Sequence, residues 1–177
     1  MLDSAEASDI SAVRDHTREL IVDAFDSTEP VLIEAPPSSG KTTSTYDLAI
    51  ESETPVTYLC SRIDLYEEAT EHFRQNEDAV PHFEEGCITE AADTEAVTTY
   101  AVIPSPYRDC PSFQEGEPGN ETLIRKKYAS GMSAYKLHMS EATDVVTPCG
   151  SDCPYMQKLR QIDYANESID ILIGHHK

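Results

Sequence analysis

Apolar residues recur at helical spacing near the start of the chain. Ile10, Val13, Ile21 and Phe25 fall on one stripe of a helix, with mostly polar residues between them. This spacing predicts a helix over residues 8–26, which the sequence STEP then ends.

Two apolar runs of strand length alternate with two helical patterns in the next part of the chain. The runs are VLIEA (Val31–Ala35) and VTYLC (Val56–Cys60), and the helical patterns are Lys41–Glu51 and Ser61–Phe73. Strand, helix, strand and helix at this spacing predict parallel strands joined by a right-handed crossover.

The pattern weakens after Phe73 and returns near the end of the printed sequence. One strand-like run, Val97–Ile103, lies among turn residues, and a more helical stretch begins at Gly119. A last helix, about Tyr155–Asn166, leads to the run SIDILIG (Ser168–Gly174), which is a third candidate for a core strand.

We therefore expect an α/β fold in which residues 1–75 and 155–177 form one core. Residues 76–154 are interpreted as an insertion of mainly irregular and helical structure between the core strands. Because a structureless loop of that length is implausible in a compact domain, something must hold the insertion together.

The charge composition predicts a strongly acidic protein surface. The 177-residue chain has 33 acidic against 13 basic residues and a net charge of −20. Such a surface is typical of halophilic proteins, in which salt screens the self-repulsion. Residues 120–160 are the exception, with six basic and four acidic residues. This basic segment is either a contact for a polyanion or an ordinary helical surface.

Hydropathy and the first residues of the sequence predict where in the cell the protein is found. No apolar run approaches the roughly 18 residues that a membrane span needs. The first residues, MLDSAEASDI, are acidic and contain no apolar signal segment. We therefore expect a cytoplasmic protein without membrane contact.

The stretch APPSSGKT, from Ala35 to Thr42, departs at one position from the phosphate-binding pattern G-x-x-x-x-G-K-S/T. Alanine replaces the first glycine. In such a loop the backbone N–H groups surround phosphate oxygens at a helix N-terminus. Lys41 reaches the β- and γ-phosphates, and the Thr42 hydroxyl holds Mg²⁺. The loop predicts a site for ATP and Mg²⁺ made by Ser38, Ser39, Gly40, Lys41, Thr42 and Thr43.

Three blocks of the sequence resemble superfamily 2 DNA helicases of the XPD/DinG type. VLIEAPPSSGKT is similar to their motif I, and VTYLCSRIDLYEEATE is similar to motif Ia. CPYMQKLRQIDYANESIDILIGHHK resembles the segment that precedes motif II. The resemblance implies a RecA-like P-loop core that hydrolyses ATP and moves along or opens DNA. It requires Val31–Ala35 to lie in a parallel sheet.

The resemblance also implies residues that contact nucleic acid. Ser61 and Arg62 occupy motif Ia positions, which touch the phosphate backbone of the single strand in that family. The inserted subdomain of the family lies where the duplex is split. This placement makes Arg125, Lys126 and Lys127 candidate contacts to single-stranded or forked DNA.

One expected motif is not found in the sequence. The family places an apolar strand that ends in Asp-Glu shortly after LIGHHK, where the printed sequence ends. We therefore expect the N-terminal portion of a longer helicase, which needs a second RecA-like domain and hydrolyses ATP weakly or not at all alone. Two alternatives stay open: another P-loop ATPase with a metal-stapled insertion, and a non-catalytic remnant that binds nucleotide or nucleic acid.

Four of the five cysteines lie in the expected insertion: Cys87, Cys110, Cys149 and Cys153. In XPD/DinG-type helicases an insertion at this place carries four cysteines that hold a 4Fe–4S cluster, so the resemblance implies these four as metal ligands. Thiolates suit Zn²⁺ as well, and iron–sulfur, zinc and unligated thiols all stay open. His82 and His138 are spare nitrogen donors for zinc, although we expect both at the surface. Cys60 is expected to be a buried strand residue.

Overall fold

A computed structural model of the chain describes residues 10–84, 87–89, 97–114, 121–139, 149, 152–165 and 168–175. At residues 84, 87, 121, 122, 139 and 163–165 the backbone alone is described. The chain divides between Thr54 and Pro55 into two compact units. Among the described helices, none combines the length and the apolar composition that a bilayer crossing requires.

Within residues 10–54, the described part of the first unit, two helices are joined by a segment without helix or strand. Helix α1 spans Ile10–Phe25 and helix α2 spans Lys41–Glu51, as the helical spacing predicted. The two helices pack against each other. The Arg18 guanidinium of α1 binds the Glu51 carboxylate of α2 at 3.0 Å.

The strand predicted at Val31–Ala35 is wrong. This segment is neither helix nor strand, and it pairs with no strand in the described part of the chain. Leu32 is 86% exposed, so the apolar run is not buried as a core strand would be. A RecA-like sheet that leads into the 35–42 loop is therefore not shown.

The second unit alternates helices and strands. Its helices are α3 (Ile63–Gln75), α4 (Pro106–Asp109), α5 (Glu121–Ala129), α6 (Ala134–Met139) and α7 (Pro154–Ala165), with a short 3₁₀ helix at Pro111–Phe113. Its strands are β1 (Val56–Cys60), β2 (Ala79–Pro81), β3 (Phe83–Glu84), β4 (Cys87–Ile88), β5 (Thr98–Val102) and β6 (Ile171–His175). Apart from small shifts at their ends, β1, α3, β5, α7 and β6 lie where the apolar pattern predicted them.

Four of these strands form one parallel sheet in the order β1-β6-β5-β2. Ile171 of β6 pairs with Val56 of β1 on one side and with Tyr100 of β5 on the other. Strands β3 and β4 form a separate antiparallel pair. The predicted parallel sheet is confirmed, but without Val31–Ala35, and β2 and β5 join the sheet from within residues 76–154.

Thr99 and Asp170 fix the register of β5 against β6. Thr99 N donates to Asp170 Oδ2 at 2.7 Å, and Asp170 N donates to Thr99 Oγ1 at 3.2 Å. A slip of one residue would break both hydrogen bonds and turn the apolar side chains of β6 to the opposite face. This pair therefore specifies how the central strands align.

Helices cover both faces of the sheet. Phe73 of α3 is buried against Tyr100, with the two ring centroids 6.0 Å apart. Ile162 of α7 packs with Ala101 and Leu172. Because Tyr100 and Ala101 are consecutive on β5, their side chains point to opposite faces. Helices α3 and α7 consequently lie on opposite sides of the sheet.

A second core lies in the helical region that follows β5. Its buried residues come from the segments between α4 and α7: Cys110, Phe113, Ile124, Ala134, Leu137, Cys153, Tyr155 and Met156. Two of these residues are cysteines, so this small core surrounds the chemistry that the sequence singled out.

Candidate functional site

Three segments of the second unit bring three cysteines and one histidine together. Cys110 follows α4, His138 lies in α6, and Cys149 and Cys153 precede α7. Their ligand atoms all lie within 4.8 Å of one another. We call this group the Cys3His cluster. It could bind a metal ion such as Zn²⁺, or an iron–sulfur cluster.

His138 lies close to two sulfur atoms of the Cys3His cluster. His138 Nε2 lies 3.2 Å from Cys110 Sγ and 3.4 Å from Cys149 Sγ. The two sulfur atoms are 3.6 Å apart, and both cysteines are free thiols. The donors are therefore close together without being linked by a disulfide.

A backbone carbonyl orients the His138 ring. His138 Nδ1 lies 2.6 Å from the carbonyl oxygen of Ala134, one turn earlier in α6. Because a carbonyl oxygen only accepts hydrogen bonds, Nδ1 must carry the hydrogen. The lone pair of the neutral ring is then on Nε2, which is the atom that faces the sulfur atoms. Metal-binding histidines are held in this way.

Ser112 makes two hydrogen bonds with Cys149. Its hydroxyl shares a hydrogen bond of 2.9 Å with Cys149 Sγ and accepts the Cys149 N–H at 3.3 Å. Burial acts to raise the pKa of the Cys149 thiol, but hydrogen bonds from Ser112 and from the thiols of Cys153 and Cys110 outweigh burial and lower this pKa. Burial raises the pKa of the Cys110 and Cys153 thiols. Among the three thiols of the Cys3His cluster, Cys149 is therefore the one whose thiolate the surroundings favour.

Aromatic rings enclose the histidine. Phe113 is stacked on the His138 ring, with centroids 6.5 Å apart and an interplanar angle of 7°. Tyr155 lies on another side at 5.9 Å, and burial raises the pKa of its hydroxyl to about 12. Cys110 and Cys153 of the Cys3His cluster are thus buried in the small core, and His138 and Cys149 are half-buried beside it.

The phosphate-loop residues lie in the first unit, at the start of α2. Ser38 and Gly40 have positive φ angles of 62° and 84°, so the loop turns sharply twice before the helix begins. Lys41 Nζ folds back and donates to the carbonyl oxygens of Ala35 at 2.5 Å and Pro36 at 3.0 Å. Within the described residues, the buried Ser39 hydroxyl has no hydrogen-bond partner.

The residues predicted to contact nucleic acid differ in their exposure and in the contacts they make. Ser61 and Arg62 are exposed just after β1, and the Arg62 guanidinium binds Asp64. In α5, the Arg125 guanidinium donates to the carbonyl oxygen of Phe113 at 3.0 Å and 2.5 Å, so it supports the small core. Lys126 is exposed and Lys127 is half-buried. Their contact with DNA stays a prediction.

Comparison with known proteins identifies no family. The sequence matches no protein-family model, and neither the curated proteins nor the solved structures include a significant match. What stands is an α/β protein with a four-stranded parallel sheet and the Cys3His cluster.

The structure brings together three of the four cysteines that the sequence marked as metal ligands. Cys110, Cys149 and Cys153 meet, whereas the side chain of Cys87 lies outside the described part of the chain. His138 joins them, and the expectation that His138 and His82 lie at the surface is wrong: His82 is 3% exposed and His138 is half-buried. The prediction that Cys60 is buried is confirmed.

Asp109, next to Cys110, ties α4 to α7. Its carboxylate accepts hydrogen bonds from Ser105 N at 2.8 Å, from the Arg108 guanidinium at 2.7 Å and from Lys158 Nζ at 2.8 Å. Burial acts to raise the pKa of Asp109, but the hydrogen bonds from Arg108 and Lys158 outweigh burial and lower this pKa. The charged carboxylate is therefore the form that the fold selects.

We expect Asp109→Asn to destabilise the protein by about 1–3 kcal/mol, because an amide presents N–H groups to donors that need an acceptor. Urea unfolding of the full chain at neutral pH measures this change. Glu68→Gln, on the exposed face of α3, removes the same charge and should leave the unfolding midpoint almost unchanged. Equal midpoints for the two variants would show that Asp109 is not a structural clamp.

Proposed function

We propose that this chain binds the phosphate groups of a nucleoside triphosphate, ATP, through residues 35–43. The main support for the proposal is the pair of sharp turns at Ser38 and Gly40, immediately before the first turn of α2. Gly40 is the N-cap residue and offers no side chain to cap the helix. The first N–H groups of α2 are thus left for an anion.

The charges at the start of α2 support an anionic ligand. The first turn of α2 contains Lys41 and has no acidic residue. The Lys41 ammonium is held by two loop carbonyls, which are neutral acceptors that a phosphate oxygen can replace with a charged one. The unpartnered Ser39 hydroxyl adds a donor in need of an acceptor. In this proposal Thr42 holds the Mg²⁺ that accompanies the triphosphate.

The wider proposal is that the chain is the ATP-binding N-terminal portion of a DNA helicase. It rests on the resemblance of residues 31–42, 56–71 and 153–177 to XPD/DinG-type motifs. The cysteine-rich region would then assist strand separation, and the partners would be single-stranded or forked DNA and a second RecA-like domain. Val31–Ala35 pairs with no strand in the described part of the chain, so the sheet that the resemblance requires is not shown. The proposal of nucleotide binding therefore rests on the loop residues alone.

Replacing Lys41 with alanine should weaken ATP binding by about tenfold to 100-fold, since it removes a charge-assisted contact of roughly 1.5–3 kcal/mol. Isothermal titration of the full chain with Mg-ATP measures the affinity. Lys126→Ala makes the same change of charge at an exposed position of α5 and serves as the matched control. The proposal fails if the wild-type chain does not bind Mg-ATP, or if both variants bind it as the wild type does.

A further inference from the structure

The geometry points to a single tetrahedral zinc ion, bound by Cys110, His138, Cys149 and Cys153 as a closed structural site. This inference concerns the second unit and does not depend on nucleotide binding by the first. The ligands expected from the sequence were Cys87, Cys110, Cys149 and Cys153. The inferred site has His138 in place of Cys87.

The three separations among Cys110, His138 and Cys149 are close to those around one ion. Tetrahedral zinc, with Zn–S bonds of about 2.3 Å and Zn–N bonds of about 2.0 Å, places two sulfur ligands about 3.8 Å apart and a sulfur and a nitrogen about 3.6 Å apart. The corresponding distances are 3.6 Å for Cys110 Sγ to Cys149 Sγ, and 3.2 Å and 3.4 Å from His138 Nε2 to these sulfur atoms. These three donors need only a small outward movement to reach their places, and Cys153 Sγ lies within 4.8 Å of all of them.

A four-iron cluster does not fit these donors. In such a cluster each cysteine binds a different iron atom at a corner of a cube. The ligand atoms are therefore farther apart than the ligands of a single ion. Cys110 Sγ and Cys149 Sγ, 3.6 Å apart, leave no space between them for two irons and their sulfides. The four described donors also include a nitrogen in place of a fourth thiolate.

Contacts outside the four ligands hold the donors in the state that zinc requires. The Ala134 carbonyl fixes the His138 tautomer with its lone pair on Nε2. The Ser112 hydroxyl lies 2.9 Å from Cys149 Sγ, where it donates a hydrogen bond once that sulfur is the thiolate that zinc binds. Such outer contacts commonly accompany metal ligands because they fix orientation and raise ligand basicity.

The number and burial of the donors indicate a structural ion. Four protein ligands complete a tetrahedron and leave no position for a reacting water. Cys110 and Cys153 are fully buried in the small core. The ligands come from the ends of α4, α6 and the segment before α7, so one ion joins three segments that are far apart in the sequence. Metal binding then contributes directly to the folding of this region.

The metal content of the wild-type chain is the first test. The full chain is produced with zinc and iron both supplied and is purified without oxygen, and its metals are counted by mass spectrometry. We expect one zinc per chain and no iron. Exchange with Co²⁺ should give the visible absorption bands of a tetrahedral thiolate site. Several irons per chain with matching acid-labile sulfide, or a chain without bound metal, would overturn the inference.

Four variants test the ligand set. Cys87→Ser and Cys60→Ser should retain one zinc per chain, because neither residue belongs to the four proposed ligands. His138→Ala should weaken Zn²⁺ binding at least about tenfold, and His138→Cys should restore it by supplying a fourth thiolate. Zinc that is lost from Cys87→Ser and retained in His138→Ala would show that Cys87, and not His138, is the fourth ligand.

A second measurement separates loss of metal from failure to fold. Ser112→Ala keeps all four ligands and should weaken zinc binding by about tenfold to 100-fold, measured by competition with a chromophoric chelator. Circular dichroism of each variant, with and without added Zn²⁺, reports whether the region is folded. An affinity for zinc that is the same in the wild type, Ser112→Ala and His138→Ala would overturn the proposed site.

Discussion

Phe113→Ala is expected to lower the free energy of unfolding by about 3–5 kcal/mol, because it removes a fully buried aromatic ring from a small core. The ring has edge-to-face contacts with Tyr107 and Tyr128, both with centroids 5.5 Å away, and it is stacked on His138. The neighbouring side chains are themselves packed in this core, so they can close the resulting cavity only in part. Denaturant unfolding followed by circular dichroism measures the loss.

Tyr135→Ala supplies the comparison for Phe113. Tyr135 is also aromatic and lies in α6 of the same region, but it is 48% exposed. Its removal should change stability by no more than about 0.5 kcal/mol. Phe113→Ala should also weaken the metal affinity of the Cys3His cluster, since it frees the His138 ring, whereas Tyr135→Ala should not. Similar losses of stability in both variants would contradict the proposed core.

Phe73→Ala is expected to destabilise the second unit by about 3–5 kcal/mol, because it removes a buried aromatic ring from between α3 and the sheet. Phe73 is fully buried and contacts Tyr100 of β5. Its loss leaves a cavity between α3 and the sheet that neither rigid element can close. Thermal unfolding and urea unfolding of the full chain both measure the effect.

Ile63→Ala in the same helix is the matched test of burial. Ile63 is the first residue of α3 and is 48% exposed, so its truncation should cost well under 1 kcal/mol. If Ile63→Ala and Phe73→Ala were equally destabilising, the face of α3 that packs on the sheet would have to be reassigned.

The sequence predicted those elements whose stability depends on periodic apolar residues. Helix α2 and strand β1 have the bounds that the pattern indicated, and β6 overlaps the predicted run Ser168–Gly174 except at its last residue, His175. Each of the three buries part of its apolar side chains: Tyr46 and Ala49 in α2, Cys60 in β1, and Ile171 and Ile173 in β6. Local pattern and tertiary packing agree there, which is the condition for prediction from sequence.

At Val31–Ala35 the local apolar pattern and the tertiary packing disagree. The segment has the composition of a core strand, but a strand exists only if another strand pairs with it, and no local signal specifies that partner. The structure leaves Leu32 in water. Strand β2 is the opposite case, since Ala79–Pro81 is too short to give a periodic signal and still pairs with β5.

The Cys3His cluster was only partly accessible from the sequence. Cysteines attract notice by their number, and three of the four marked in the expected insertion are brought together. His138 lies 28 residues from Cys110 and 11 residues from Cys149, a spacing that belongs to no common motif. Only the folding of α6 against the small core brings its Nε2 atom to the sulfur atoms. Ligands of this kind emerge from tertiary structure.

The central position of β6 has a consequence for the order in which this protein is made. During synthesis β1 and β5 leave the ribosome long before the strand that separates them, so neither can complete its hydrogen bonds until residue 175 has emerged. Sequence-distant pairing of this kind slows folding and leaves apolar strands exposed in nascent chains. The strong negative charge of the chain keeps such nascent molecules apart through mutual repulsion.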